Sequence, residues 1–322
     1  MRISILSSGA VKYGLLVVVC ITFLCFIIKY SKEPPVRIPN FINISNYEVE
    51  VSINPNMEPS LSRSYEYICQ SDKHKTDLIK EMNFKSKSAE DLRQLFNKFI
   101  MNPHIGRCPT IQRFGGEYIP KCKYWDGQKF VCMNELYKDL ENDDCLIYSF
   151  GIASDYSFEE AMDRLGCKVY AFDPTVNYSK KIGNTNILFE KLGVSTEADH
   201  GKSLDTLTSI LHLHGHTDTK ITYLKVDIEG YEVDGLGEWF ASGALQNVQQ
   251  IALEYHLENT EMTLKLFHTL IRLYFEGDFR LISFDINGCA RAASRDYYKY
   301  AEIVLMKPSE YSVCIEKTTV KR

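Results

Sequence analysis

At 322 residues the chain is long enough for one sizeable domain with a well-covered central sheet and further attachments. Lysine and arginine total 37 against 42 acids, a net charge of -5, and the one basic run is a short C-terminal KTTVKR. That balance argues against a nucleic-acid partner.

The first element is apolar. YGLLVVVCITFLCFII, Tyr13 to Ile28, carries no charge and is bounded by Lys12 and Lys29. It is slightly shorter than the roughly 20 residues of an average membrane span, but Tyr13, Lys29 and Tyr30 can extend it at the headgroup level. IIKYSKEPP has no small-residue cleavage site, which argues against a cleaved signal peptide. The expectation is a cytoplasmic tail over 1–12 and a single-pass (type II) signal anchor over 13–30, with the body in the lumen of the endoplasmic reticulum or Golgi. Residues 31–85 mix prolines with polar residues, show no sustained period, and read as a stem. Asn43-Ile44-Ser45 is a glycosylation acceptor there, and Asn177-Tyr178-Ser179 is a second formal match.

The globular part is placed at 86–322. It opens with a helix, SAEDLRQLFNKFIM, whose Leu92, Leu95, Phe96 and Phe99 share a face. A cysteine-rich lead-in follows at about 108–143. Two cysteines, Cys20 and Cys25, lie in the anchor. The other eight are Cys69, Cys108, Cys122, Cys132, Cys145, Cys167, Cys289 and Cys314, an even set that suits disulfides in an oxidising compartment. Buried free thiols are the rival reading, and no C-x-x-C pair suggests a structural zinc.

From Asp144 strands alternate with amphipathic helices: CLIYSF, FEEAMDRL, KVYAFD, NILFEKLGVS, LDTLTSILHL, TYLKVDI, then EVDGLGEWF, QQIALEYH, EMTLKLFHTLIRLYF, FRLISFDI and AEIVLMKP. The pattern predicts an α/β fold, doubly wound, with a mostly parallel sheet and an antiparallel pair at one edge, because no helix separates the last two strands.

The turn after CLIYSF carries the chemistry. Ser157 and Glu160 read as a capping box, Phe158, Ala161, Met162 and Leu165 as an apolar stripe, and Gly166 as the helix end. Gly151 then lies at the carboxyl edge of the sheet, where doubly wound folds bind ligands, and Asp173 ends the next strand in position to accept both hydroxyls of a ribose. Gly151, Ala153 and Tyr156 stand where a pyrophosphate site needs three glycines. Tyr156 would obstruct a pyrophosphate and Asp155 would repel it, whereas Asp155 could accept from the ammonium of S-adenosylmethionine.

CLIYSFGIASDYSFEEAM, YAFDP, YLKVDIEGYE and IALEYH together resemble the class I S-adenosylmethionine-dependent methyltransferases, most nearly the FkbM-type and methyltransferase-like 24 groups, in which RFGG, DGQKFVC and YSFG also occur. The resemblance spans about Cys108 to Pro308. It implies a seven-stranded, Rossmann-like sheet, S-adenosylmethionine as cofactor held near Ser149, Phe150, Gly151, Asp155, Asp173 and Asp227, and usually O-methylation; the expected acceptor is a glycan, lipid-linked group or small molecule of the secretory pathway. Ser149 stands where the wider superfamily ends its first strand in an acid, which leaves open a fold retained for binding without turnover. By the same resemblance Asp227 faces the methionine end of the cofactor and Glu229 the acceptor. His256, ending IALEYH, is the expected base, with Glu254 on its face of the strand. Its rival reading is a hydrogen-bonded strand-end histidine. Asp227, Glu229 and Glu254 admit a divalent cation, but solvated acids are the ordinary reading and no metal is expected. His212, His214 and His216 invite a zinc reading, yet they end a predicted helix away from the ligand edge.

Overall fold

The computed structural model describes residues 47–53, 88–307 apart from 102, 104–107, 180, 181, 184 and 289–298, and 314–320. The expected anchor, Asn43, Cys69 and Cys289 lie outside the described residues, among which no helix is long and apolar enough to cross a membrane.

Strand β1 (Tyr47–Ile53) pairs antiparallel with β15 (Cys314–Val320), Tyr47 opposite Val320. Within the segment read as stem, YEVEVSI alternates polar residues with tyrosine, valine and isoleucine, a strand period in an otherwise polar stretch. Helix α1 (Ala89–Ile100) begins at a capping box, in which Asp91 N donates to Ser88 Oγ and Ser88 N donates to Asp91. Leu92, Phe96 and Phe99 are buried, as the spacing predicts.

The lead-in folds as two small antiparallel pairs, β2 (Ile111–Phe114) with β5 (Lys129–Cys132), and β3 (Glu117–Ile119) with β4 (Tyr124–Asp126). Cys108 is bonded to Cys132, and Cys145 to Cys167. Cys122 is disulfide-bonded as well.

Helix α2 (Met133–Glu141) leads into the main sheet. Its strands are β6 (Leu146–Phe150), β7 (Lys168–Phe172), β8 (Leu188–Glu190), β11 (Ile221–Val226), β12 (Val248–His256), β13 (Arg280–Ile286) and β14 (Tyr300–Met306), in the order β13-β14-β12-β11-β6-β7-β8. Five strands run parallel from β12 to β8, while β14 is antiparallel to both of its neighbours and separates β13 from β12. The expected seven strands and antiparallel edge pair are present. NILFEKLGVS, expected as one strand, is broken after Glu190; its second half, β9 (Gly193–Ser195), pairs instead with β10 (Leu204–Thr206).

Helices α3 (Ser157–Leu165), α4 (Leu207–Leu213), α5 (Glu232–Ala241) and α6 (Thr260–Phe275) complete the fold. On one sheet face Phe96 of α1 packs edge-on against Tyr255 and against Phe267 of α6. On the other, Phe158 of α3 packs against Tyr223. Both layers leave the carboxyl ends of β6, β7, β11 and β12 at one edge.

The start of α3 departs from its sequence reading. Ser157 is the first helical residue and its hydroxyl accepts from Gly116 N (2.7 Å), so it caps a neighbouring loop rather than its own helix. Asp155 takes over, accepting from Ser157 N (2.9 Å). In the apolar stripe Phe158 and Met162 are buried, but Leu165 is exposed and Glu159 is fully buried.

Candidate functional site

Strand β6 ends at Phe150 and the chain turns at Gly151, with φ +77°. The turn is wedged between two strands, since Gly151 N donates to Phe172 O (2.9 Å) and Asp227 N donates to Phe150 O (3.1 Å). A Cβ at residue 151 would stand 1.6 Å from the Asp227 carbonyl oxygen, so this position admits only glycine. Lys225 donates to Gly151 O (3.1 Å) and pairs with Glu159 (3.2 Å). Ser149 gives its hydroxyl to that same Glu159. An acid therefore does stand at the end of β6, delivered by α3 instead of the strand. Phe150 stacks on Phe172 with ring centroids 4.8 Å apart. Ser149 and Phe150 are buried beneath the turn, and any part they have in binding passes through the backbone they support.

Asp173, just past β7, holds the loop that follows it. Its Oδ1 accepts from Thr175 N (2.7 Å) and Thr175 Oγ1 (2.6 Å), and its Oδ2 from Ala153 N (2.9 Å). Burial opposes ionisation here, but the hydrogen bonds from Thr175 and Ala153 more than offset it and hold the carboxyl below its ordinary range. Val176 N contributes as well, so the carboxylate spends most of its accepting capacity on its own loop, and the part that the sequence reading gives it with ribose hydroxyls falls to what Oδ2 retains.

These groups line one cavity of about 820 Å³, within the ~300–1,000 Å³ of small-molecule sites. Gly151, Asp155, Asp173, Asp227, Glu229, Glu254 and His256 all contribute to it, as do the apolar Ile152, Pro174, Val194 and Leu204. The β3–β4 hairpin adds Glu117, Ile119 and Asp126.

His256 is fixed from behind. Glu232, fully buried in the first turn of α5, lies 2.9 Å from its Nδ1 and accepts from its backbone N (2.6 Å), while the second Glu232 oxygen accepts from Gly230 N (2.8 Å). Nε2 is then directed to Glu229, 3.6 Å away on an exposed side chain. Burial alone would lower the His256 pKa; Glu232, with Glu254 and Asp227, pushes it up to about 9. The carboxylates around the ring thus favour its imidazolium form, which must lose a proton before it can take the base role expected from the sequence.

Behind the cavity wall stands Lys129 of β5, completely buried, with Nζ 2.5 Å from Glu302, 3.3 Å from Glu254 and 3.4 Å from Asp227. Burial would lower its pKa, but the three carboxylates raise it well above the ordinary lysine value. Burial raises Asp227, helped by Glu254, while Glu254 is held down by Lys129 and Asn287. Lys129, Glu232 and Glu159 are absent from the sequence-based candidates. One faint signal exists for each: Lys129 shares a strand face with buried Val131, and Glu232 and Glu159 sit at helical spacing from buried Leu236 and Met162. His216 Nδ1 lies 2.7 Å from the Tyr148 hydroxyl and His214 Nε2 lies 3.4 Å from Glu190, and neither lines the cavity.

A cavity at the carboxyl edge of a doubly wound sheet, at a glycine turn followed by an acid one strand later, is the ligand position of this architecture. No curated protein matches the chain. Residues 64–294, more than two-thirds of the chain and beginning inside the segment read as stem, match the model of a methyltransferase-domain family, and the chain belongs to that family.

Proposed function

We propose that the protein is an S-adenosylmethionine-dependent methyltransferase that methylates an oxygen of a small-molecule or glycan acceptor. The observation that carries this reading is the single cavity joining the Gly151 turn and Asp173 to Asp227, Glu229 and His256. The residues fit the cofactor. Ile152, Pro174, Val194 and Leu204 offer apolar surface for a purine, and Asp173 Oδ2 offers an acceptor for a ribose hydroxyl. The two lining lysines are already engaged, Lys225 by Glu159 and Lys202 by Asp199 (3.1 Å), while Asp155 and Asp227 favour positive charge. That balance disfavours a pyrophosphate and suits a sulfonium and an ammonium. When bound, S-adenosylmethionine supplies a methyl group on positively charged sulfur. The chain's own part is to align the acceptor oxygen beside Glu229 and His256, exclude water, and receive the acceptor proton.

Asp173→Asn tests the cofactor half. The variant can keep its amide oxygen on Thr175 but turns an NH2 towards Ala153 and the cavity. Loss of a charge-assisted hydrogen bond of about 1.5–3 kcal/mol lowers S-adenosylmethionine affinity by roughly 10- to 150-fold. Isothermal titration is the measurement; unchanged affinity in the variant, or equal wild-type affinity for NAD, removes this assignment. Asp173→Ala is less informative, because it also deletes three hydrogen bonds of the loop.

One observation favours a second reading, a protein that binds without turnover: the carboxylates around His256 hold its ring protonated, away from the base role. Acceptor-dependent release of S-adenosylhomocysteine distinguishes the two. For location, the reading retains a signal anchor at 13–30 and a lumenal body. Endoglycosidase treatment is expected to shift the protein on a gel, and Asn43→Gln to reduce the shift. Complete digestion by protease outside intact microsomes would reverse the topology.

A further inference from the structure

Asp227, Glu229 and His256 each offer one ligand-type atom to the same point of the cavity, and these atoms lie within 4.8 Å of one another. An ion bonded at about 2.0–2.2 Å to each ligand needs them no more than about 4.4 Å apart, so the three draw slightly closer on binding, and the exposed Glu229 side chain has room to move. The second observation concerns Glu232, which is outside this trio. It is fully buried and grips both Nδ1 and the backbone N of His256, leaving Nε2 directed into the cavity. A carboxylate behind the far nitrogen is the outer-shell arrangement that orients metal-binding histidines. Charge points the same way: Asp227, Glu229, Glu232, Glu254 and Glu302 converge on this corner, against Lys129 and, acting on Asp227, Lys225.

We propose that Asp227, Glu229 and His256 bind one divalent cation of the Mn2+ or Zn2+ class, with its remaining coordination positions open to the cavity. Two carboxylate oxygens and an imidazole nitrogen suit those ions, whereas Ca2+ takes 6–8 oxygens. Three protein ligands leave room for water and for an acceptor oxygen. An acceptor hydroxyl bound to the ion loses its proton to a lining carboxylate and keeps the electron pair on its oxygen. His256 then serves as a ligand and not as the base. The site selects oxygen acceptors, preferably with a second oxygen placed to chelate. This acceptor preference rests on the methyltransferase reading; the cation site itself does not.

The experiment is titration of the purified full-length chain, previously treated with chelator, with Mn2+, followed by the loss of the free-ion electron paramagnetic resonance signal and by calorimetry. One Mn2+ per chain is expected, with at least 10-fold weaker binding in Glu229→Gln and loss in His256→Ala. Glu229 is exposed, so the Glu229→Gln variant retains the wild-type melting temperature without metal; Mn2+ raises that temperature in wild type only. Absence of stoichiometric binding in wild type, equal binding in both variants, or displacement of Mn2+ by equimolar Ca2+ overturns the proposal. S-adenosylmethionine is titrated into the same chelated samples. Its binding without any Mn2+ binding overturns the cation site alone, and Mn2+ binding without it supports the cation site while removing the methyltransferase reading.

Discussion

Lys129→Met is expected to destabilise the protein by about 3–5 kcal/mol, because it removes the cation that contacts three largely buried carboxylates and leaves Glu302 without its ion-pair partner. Domains are stable by only about 5–15 kcal/mol in total, so the loss is large. Lys129 contacts Glu302, Glu254 and Asp227, and methionine retains the bulk of its stem without the charge. The effect depends on pH in a definite direction. Glu302 is raised from 4.5 to about 8, by burial first and then by Glu254 and Asp227, with Lys129 opposing. A carboxyl whose folded pKa exceeds its unfolded value binds more protons in the native state, so the stability it contributes is fully present below the unfolded value and is lost as pH rises through about 8. Without Lys129, Glu302 and Asp227 move higher still, and Glu254 loses the main charge that holds it down. The deficit of Lys129→Met is therefore small near pH 5 and largest above pH 8, and Glu302→Gln in the same chain restores part of it. Urea unfolding at pH 5, 7 and 8.5 checks this. A deficit that does not vary with pH would assign Lys129 a packing role only.

His256→Ala is expected to lower turnover by about 100- to 10,000-fold, the range for loss of a proton-handling group, with S-adenosylmethionine affinity near wild type. The pH dependence is tied to Glu232. In chelator-treated protein, nuclear magnetic resonance of the His256 ring titrates near pH 9, and Glu232→Gln moves the midpoint down towards the ordinary histidine value of 6.5. Since the folded pKa is raised, the stability contributed by the His256–Glu232 pair is complete below 6.5 and is lost as pH rises through about 9. Any turnover in chelator rises over that same interval as Nε2 becomes free. An unchanged rate in His256→Ala, with an unchanged pH profile, would pass the proton-accepting role to Asp227 or Glu254, or mean that the acceptor is an already ionised carboxylate.

The sequence by itself determined the alternation of strands and helices, the edge pair, the Gly151 turn and the placing of Asp173 at a strand end. These follow from signals carried within about a dozen residues: side-chain period, a glycine at a positive φ, and an acid at the end of an apolar run. It also determined that Asp227, Glu254 and His256 end strands, although not that a common cavity unites them. What only the tertiary structure decided is which charges are buried and what they face. Lys129 reaches partners 98, 125 and 173 residues away, and a lysine in a short strand of a loop-rich segment reads as a solvated charge until β11, β12 and β14 converge on it. Ser157 looks like a helix cap because its spacing to Glu160 is right, yet Gly116, 41 residues upstream, supplies the donor its hydroxyl takes. The acid beside Ser149 comes from the next helix, and β1 finds its partner at the opposite end of the chain. In each case the local pattern leaves several partners acceptable, and the free energy that separates them, desolvation of a charge or satisfaction of a buried donor, exists only once distant segments are packed together.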